Sequence, residues 1–400
     1  MKEVFIVDAC RTPVGRYGGS LAGIRPDDLL ALTIRALLDR NPSLPVAEIE
    51  EVIAGDANQA GESNRNVARM AALLAGLPVE IAGVTVNRLC ASGLQSVIDA
   101  YRAIALGEGE AIIAGGVESM TRAPFVMAKS DQAFGRLPEI VDSTFGWRFT
   151  NPDLANMYPP LAMGETAENL ADKYKISREA QDQFACDSQK KWKAAADAGI
   201  WKNEMVPVSI KQKKGDPVTF DTDEHPRTDT TREGLAKLKP VFRQGGTVTA
   251  GNSSGINDGA AISLLCSRDI LKKYNLTPMA RVVSAGIAGV DPSYMGIGPV
   301  PASRKAMKRA GLKTSDISLV ELNEAFAAQS IPCIQNLELD PAIVNPNGGA
   351  IAIGHPLGSS GARILATLLH EMHRRDNCRY GLATLCVGVG QGVSLIVEKV

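Results

Sequence analysis

The sequence has no CxxC pair, few aromatic residues (5%) and only four histidines among its 400 residues. Its seven cysteines (10, 90, 186, 266, 333, 378 and 386) are odd in number and dispersed, which excludes a disulfide framework or a zinc cluster. They fit a reducing compartment, and a cytoplasmic location is expected. Charge of either sign is not in excess: 43 Lys plus Arg stand against 44 Asp plus Glu, for a formal net charge of −1. That removes the basic surplus of a nucleic-acid binder. P-loop, HExxH and GxSxG motifs are missing, and the glycines of Gly388-Val-Gly-Gln-Gly392 lack dinucleotide spacing and lead into a strand, so neither a metal nor a tightly bound cofactor is expected. The longest uncharged stretch, Tyr380 to Val397, is broken by glycines and reads as two buried strands around a turn rather than a membrane span. Its first residues enter a strand pattern at once, so no leader is expected. With 45% hydrophobic and 22% charged residues the chain is globular, and its length allows two or three units.

Three regions differ in texture. Through residue 120, β-type runs (Val4 to Cys10, Glu51 to Gly55, Gly83 to Asn87, Ala111 to Gly115) alternate with helical patterns (Pro26 to Leu38, Asn66 to Ala75, Ser92 to Leu106). Such alternation predicts a buried, mostly parallel sheet covered on both faces, an α/β fold. Residues 121–246 are more polar, hold all three tryptophans and a helical pattern at Thr166 to Ala196, and read as an inserted loop domain. Residues 247–274 supply a return strand to the first half, and 275–400 alternate again, with strands expected near Ala280 to Ile287, Ser318 to Leu322, Ile343 to Val344 and Tyr380 to Val397. A weak repeat relates the two alternating regions: Ile49, Val52 and Ser92-Gly93 match Ile317, Val320 and Ser360-Gly361 at a common offset of 268. Duplication around a pseudo-twofold axis would bring Cys90 and the loop after His355 into one site.

Four segments can carry chemistry. Cys90 ends a strand-like run and precedes an amphipathic helix, where unpaired N–H groups and the helix dipole favour the thiolate. The same position also suits a small core cysteine. His355 lies in a glycine-rich loop, stiffened by Pro356, that suits a base or a structural turn histidine. Cys386 ends another strand before glycines that can present N–H groups to an anion, or merely form a hairpin. Asn323 follows Ser318 to Leu322 and can orient a water, or cap a helix.

The segments around Cys90, His355 and Cys386, together with Asn323-Glu-Ala-Phe-Ala, Gly251-Asn-Ser-Ser-Gly-Ile-Asn-Asp-Gly-Ala and Met295-Gly-Ile-Gly-Pro-Val-Pro-Ala, resemble the thiolase family along essentially the whole chain. The resemblance implies a duplicated five-layered α/β/α/β/α core with an inserted loop domain, in homodimers or homotetramers, and an acyltransferase using coenzyme A as co-substrate. It implies that Cys90 attacks the ketone of a 3-oxoacyl-CoA, that His355 takes its proton, and that Cys386 protonates the departing enolate. A second CoA then removes the acyl group. Oxyanions would be held by His355 with an Asn323-bound water, and by the N–H groups of Cys90 and Gly388.

For CoA, the resemblance points to Arg227 near the adenine end, Ser254 and Ala250 along the pantetheine, and Met163 and Phe326 as apolar lining. Gly234 and Ala162 depart from the Ser and His of short-chain biosynthetic members. Ser143 to Pro152 and Met163 to Asn169 are similar to the 3-oxoadipyl-CoA thiolases of aromatic-compound breakdown, which would give succinyl-CoA and acetyl-CoA. A buried terminal carboxylate needs a cation, for which Arg148 is the candidate or else an exposed loop arginine. The alternatives are general thiolysis in fatty-acid β-oxidation, acetyl-CoA acetyltransfer, and a non-catalytic acyl-CoA binder of the same fold.

Overall fold

The computed structural model describes all 400 residues. Nine strands form one hydrogen-bonded path: β1 (Val4–Arg11), β2 (Ile49–Gly55), β3 (Ala82–Val86), β4 (Ala111–Ser119), β5 (Asn257–Ser267), β6 (Ala280–Gly289), β7 (Ile317–Leu322), β8 (Tyr380–Val387) and β9 (Gln391–Lys399). Their spatial order is β7-β8-β9-β6-β1-β5-β4-β2-β3. The seam between β1 and β6 is narrow, only Phe5 with Arg281 and Ile6 with Ala280. On one side of it the order is β1-β5-β4-β2-β3. On the other it is β6-β9-β8-β7, continued by a parallel bridge from Val320 to Val344. Each half also visits these positions in the same chain order, so the duplication is present in the topology itself.

The expected mostly parallel sheet is instead mixed. Between strands, parallel pairing is confined to β4-β2-β3 and β7-β8, with single parallel bridges from Arg11 to Met205 and from Val320 to Val344. The return strands explain this: β5 lies between β1 and β4, and β9 between β6 and β8, each antiparallel to both neighbours. The strand expected at Ile343 to Val344 shrinks to that one bridge, because a 3-10 turn occupies Pro341–Ile343.

Helices cover and separate the two halves. The first half packs α1 (Pro26–Arg40) and α2 (Val67–Leu74) on its outer face. In the middle, α3 (Ser92–Leu106) joins a helix near the C-terminus, Leu357–Arg374, through Leu94, Val97, Ile98, Ile364, Leu365 and Leu368, which touch strands of both halves. The inserted residues form two hairpins, Phe125–Met127 with Ile140–Asp142 and Val208–Ile210 with Val218–Phe220, and the helices α4 (Met163–Tyr174) and α5 (Arg178–Asp197). On the far face of the second half lie α6 (Pro299–Ala310) and α7 (Ala327–Asn336). With Leu357–Arg374 as α8, the layers are helix, sheet, helix, sheet, helix.

The single helix expected over Thr166 to Ala196 is two. Lys175 turns left-handed at φ +53°, and Ser177 restarts the chain by accepting the Ala180 N–H at 3.2 Å. No helix is long and apolar enough to cross a membrane.

The crossing of α3 and α8 positions the site. A Cβ at Gly93 would stand 2.7 Å from the Gly358 carbonyl oxygen, and one at Gly361 would meet the Leu94 backbone nitrogen. Only glycine at both positions lets the backbones approach this closely. These are the residues related by the 268 offset, so the helix beginnings meet near the pseudo-twofold axis, with Cys90 leading into one and His355 into the other.

Candidate active site

Cys90 occupies a 3-10 turn, Leu89–Ala91, that runs directly into α3 and packs against α8. Leu89 is left-handed at φ +46°, an unfavourable conformation for a branched residue, and its N–H is held at 2.9 Å by Asn87 Oδ1. The turn presents the Cys90 Sγ to the Gly388 N–H and to its own amide. Cys90 is partly exposed, whereas Cys386 at the end of β8 is 1% exposed and His355 5%. Cys386 is close enough for the two thiols to influence each other, and the turn beyond it holds Val389 at φ +61° and Gly390 at φ +78°.

His355 donates its backbone N–H to Asn257 Oδ1 at 2.9 Å. Its Nδ1 lies 2.6 Å from Ser360 Oγ, and that hydroxyl already donates to the Pro356 carbonyl at 2.7 Å. A hydroxyl has one hydrogen, so Nδ1 donates to Ser360, and Nε2 keeps the lone pair. Asn323 is not a helix cap: α7 begins at Ala327 behind Phe326, and Thr384 O anchors the Asn323 N–H at 3.0 Å. Its amide nitrogen rests 3.5 and 3.4 Å from the two imidazole nitrogens, a contact across the ring rather than a directed hydrogen bond, and its Oδ1 is buried without a protein partner.

Burial governs the ionisation here. It lowers His355 to about 3, helped by the Arg363 charge, which leaves a neutral imidazole. It raises Cys90 to about 11 against the help of the Gly388 N–H and its own amide, and the Glu118 charge adds to the rise. The thiolate expected from the helix N-terminus is thus overridden by desolvation, and Cys90 rests as a thiol. Cys386 is raised well above its ordinary value by burial, then by Cys90 and Cys333. This arrangement can abstract a thiol proton, hold an oxyanion on backbone N–H groups, and donate a proton from a second sulfur.

The residues implicated in CoA binding divide between two places. Arg227 and Ala250 are exposed and line one cavity of ≈ 280 Å³ with His225, Gly234 and Leu238. Met163 and Phe326 belong instead to the apolar cluster around Cys386, and Met163 Sδ is 3.6 Å from where a Gly388 Cβ would stand. Ser254 is half-buried, its N–H on the Ala325 carbonyl at 2.9 Å. Ala162 is the exposed residue preceding α4. Arg148, half-buried, reaches Asn58 Oδ1 at 3.2 Å and forms no ion pair. No group of three or more His, Cys, Asp or Glu side chains is placed to hold a metal ion.

Sequence reasoning missed Ser360, which orients His355. A serine one helical turn beyond Pro356 is the available signal, but in the sequence Ser360 stands out only as a repeat marker. It also missed the support from Asn257, although that residue lies within the Gly251 to Ala260 motif.

The thiolase N-terminal domain matches residues 4–269 and the thiolase C-terminal domain residues 276–399. A beta-ketoadipyl-CoA thiolase of Acinetobacter baylyi is 55% identical over 100% of both chains. The 3-oxoadipyl-CoA/3-oxo-5,6-dehydrosuberyl-CoA thiolase of Escherichia coli K12 is 54% identical over the same shares. Human mitochondrial 3-ketoacyl-CoA thiolase superposes with a TM-score of 0.93 at 43% identity, covering 100% of this chain and 99% of that one. Two matched domains that together span nearly the whole chain, and relatives 54 to 55% identical over its full length, put this chain in the thiolase family of acyltransferases.

Proposed function

We propose that this chain cleaves 3-oxoadipyl-CoA with CoA into succinyl-CoA and acetyl-CoA. Nε2 of His355 takes the Cys90 proton as the sulfur bonds to C3, and the carbonyl oxygen is received by N–H groups. The C2–C3 bond then breaks, its electron pair forming the acetyl-CoA enolate. The Cys386 thiol gives C2 its proton, leaving a succinyl thioester on Cys90. In the second half, the CoA thiol attacks that thioester and gives its proton to the Cys386 thiolate left by the first half, while Cys90 leaves and takes its proton back from His355. The observation that carries this reading is the Cys90 sulfur against the Gly388 N–H with Cys386 beside it. A sulfur lying where a donor is preorganised can hand that donor to an oxyanion, an interaction worth roughly 3 to 4 kcal/mol where one donor has been removed.

Asn323 supports the enolate end with its unpartnered oxygen, which suits a bridging water. Arg227, Ala250, Ser254, Met163 and Phe326 form the CoA path in this reading, and the chain divides at 1–120, 121–246, 247–274 and 275–400. It works as a cytoplasmic homodimer or homotetramer. The full-length relatives named for beta-ketoadipyl-CoA support the dicarboxylate, and so does Arg148, a half-buried cation without an acidic partner. The test compares kcat/KM for 3-oxoadipyl-CoA and the uncharged 3-oxohexanoyl-CoA. The dicarboxylate should be favoured by about tenfold or more, the scale of one charge-assisted contact, and Arg148→Ala should erase the preference while sparing the neutral substrate. Equal rates for both substrates would leave general thiolysis, and binding without turnover would leave a carrier.

A further inference from the structure

Between the Cys90 turn and the His355 loop lies a buried carboxylate that the reaction as written does not use. Glu118, next to last in β4, is 2% exposed. Its Oε2 accepts the Ala57 N–H at 3.0 Å and the Gly358 N–H at 2.8 Å, and its Oε1 accepts the Asn58 N–H at 3.2 Å. Each bond leads to a different part of the site. Gly358 is the third residue after His355, in the first turn of α8. The Ala57 carbonyl accepts Asn87 Nδ2 at 2.8 Å, and Asn87 in turn holds the left-handed Leu89 that presents Cys90. Asn58 is the residue on which Arg148 rests.

Asp56, 1% exposed, lies against Glu118, carboxyl to carboxyl. Burial raises both groups, and mutual repulsion raises Glu118 further. Two carboxyls in contact share one proton. Glu118 accepts the Ala57 and Gly358 N–H groups and shares that of Asn58 with Asp56 Oδ1, which also takes the Gln59 N–H at 3.4 Å, while Asp56 Oδ2 has no donor; on this donor set we place the pair's charge on Glu118 and its proton on Asp56. The pair is packed on the backbone of α8: a Cβ at Gly358 would stand 2.8 Å from Asp56 Cα and 2.9 Å from Glu118 Oε2.

We infer that Glu118 is a positioning residue, one carboxylate fixing the Cys90 turn, the His355 loop and the Arg148 support relative to one another. The inference rests on the roles given to Cys90 and His355 above. Glutamine at this position keeps the shape but has one acceptor oxygen and no charge. Glu118→Gln should therefore lower kcat about tenfold or more while KM for CoA stays within about twofold. It should also have an effect that mere loosening would not produce. Because the Glu118 charge raises the Cys90 thiol, its removal should move the pH dependence of Cys90 alkylation by iodoacetamide to lower pH by about half a unit or more. Mass spectrometry of the Cys90 peptide reads this cleanly, since the other six cysteines are buried.

Asp56→Asn, which keeps a hydrogen toward Glu118, should leave the alkylation midpoint closer to the parent's. A shift equal to that of Glu118→Gln would put the charge on Asp56 and overturn the assignment. If Glu118→Gln does not fold, Asn87→Ser cuts the next link at an exposed residue and should slow acylation of Cys90 about fivefold. A folded Glu118→Gln with unchanged kcat and titration, or a folded Asn87→Ser with unchanged acylation, would overturn the inference. Failure of the parent enzyme to form acyl-Cys90 would instead sink the catalytic reading, while the alkylation titration still reports on Glu118.

Discussion

With its thiol raised to about 11, Cys90 rests protonated, and with its imidazole lowered to about 3, His355 rests neutral, so the two do not form a preformed ion pair. Proton transfer from Cys90 must therefore accompany attack on the carbonyl, when the growing oxyanion is stabilised by N–H groups. Without substrate, alkylation of Cys90 should rise about tenfold per pH unit from 7 until the thiol titrates; a plateau below pH 8 would mean a preformed thiolate. Cys90→Ala should abolish acyl-enzyme, whereas Cys386→Ala should still accept an acyl group from a simple thioester and lose carbon–carbon cleavage. Rapid-quench mass measurement separates these steps, and equal loss in both variants would contradict the division of labour. The depressed His355 also bears on stability. The folded state excludes a proton that the unfolded chain accepts below about 6.5, so this residue's share of stability is full above that value and lost as pH falls toward 3. His355→Gln should flatten part of the decline in urea midpoint over that window. At this scale the reactive atoms were legible because their residue types, Cys, His and Asn, carry reactivity. Ser360 and Glu118 were not, since a serine in a helix and an acid ending a strand look like any others until their hydrogen-bond partners are known.

Helices α3 and α8 must approach backbone to backbone for the two catalytic turns to meet, and Gly93 and Gly361 allow it. Gly93→Ala puts a methyl 2.7 Å from a carbonyl oxygen that belongs to α8 itself. It should cost about 1 to 3 kcal/mol by overpacking. Because the displaced segment holds His355, kcat should fall further than the urea midpoint alone would suggest; a variant of parental stability and rate would show that the crossing tolerates separation. Lys175→Gly tests the opposite sign, since glycine relieves the left-handed turn between α4 and α5 and should stabilise by about 0.5 to 1 kcal/mol in urea unfolding. Hydrophobic period identified most elements, and α3 has the bounds its pattern indicates. Pairing direction was not recoverable that way: a buried strand is apolar on both faces whichever way its neighbours run, so the antiparallel return strands β5 and β9 were invisible. The break at Lys175 was readable only from Ser177, because both flanking helices continue an acceptable amphipathic pattern.

The molecule as a whole is two copies of one topology that share their middle layer. Leu94, Val97 and Ile98 of the first half and Ile364, Leu365 and Leu368 of the second belong to one buried cluster, which includes strands from both sheets. Separating the halves would expose an apolar face on each. At roughly 25 cal/mol for each Å² returned to water, about 200 to 600 Å² of newly exposed apolar surface is enough to offset the 5 to 15 kcal/mol that stabilises an ordinary domain. The strands add little across the seam, where β1 and β6 pair through two residue pairs. Cohesion between halves therefore comes from the central helices, and the site depends on it because each half supplies part of the reactive set: Cys90 from one, His355 and Cys386 from the other. A chain divided in the linker between the two matched domains should behave accordingly. Residues 1–275 alone should bind a hydrophobic dye and unfold without a cooperative transition. Coexpressed with residues 276–400, they should form a stoichiometric complex that unfolds as one unit and regains acylation of Cys90. A fragment 1–275 that melts cooperatively by itself would mean that the outer helix layer suffices to hold a half together, and that α3 is held in place without α8.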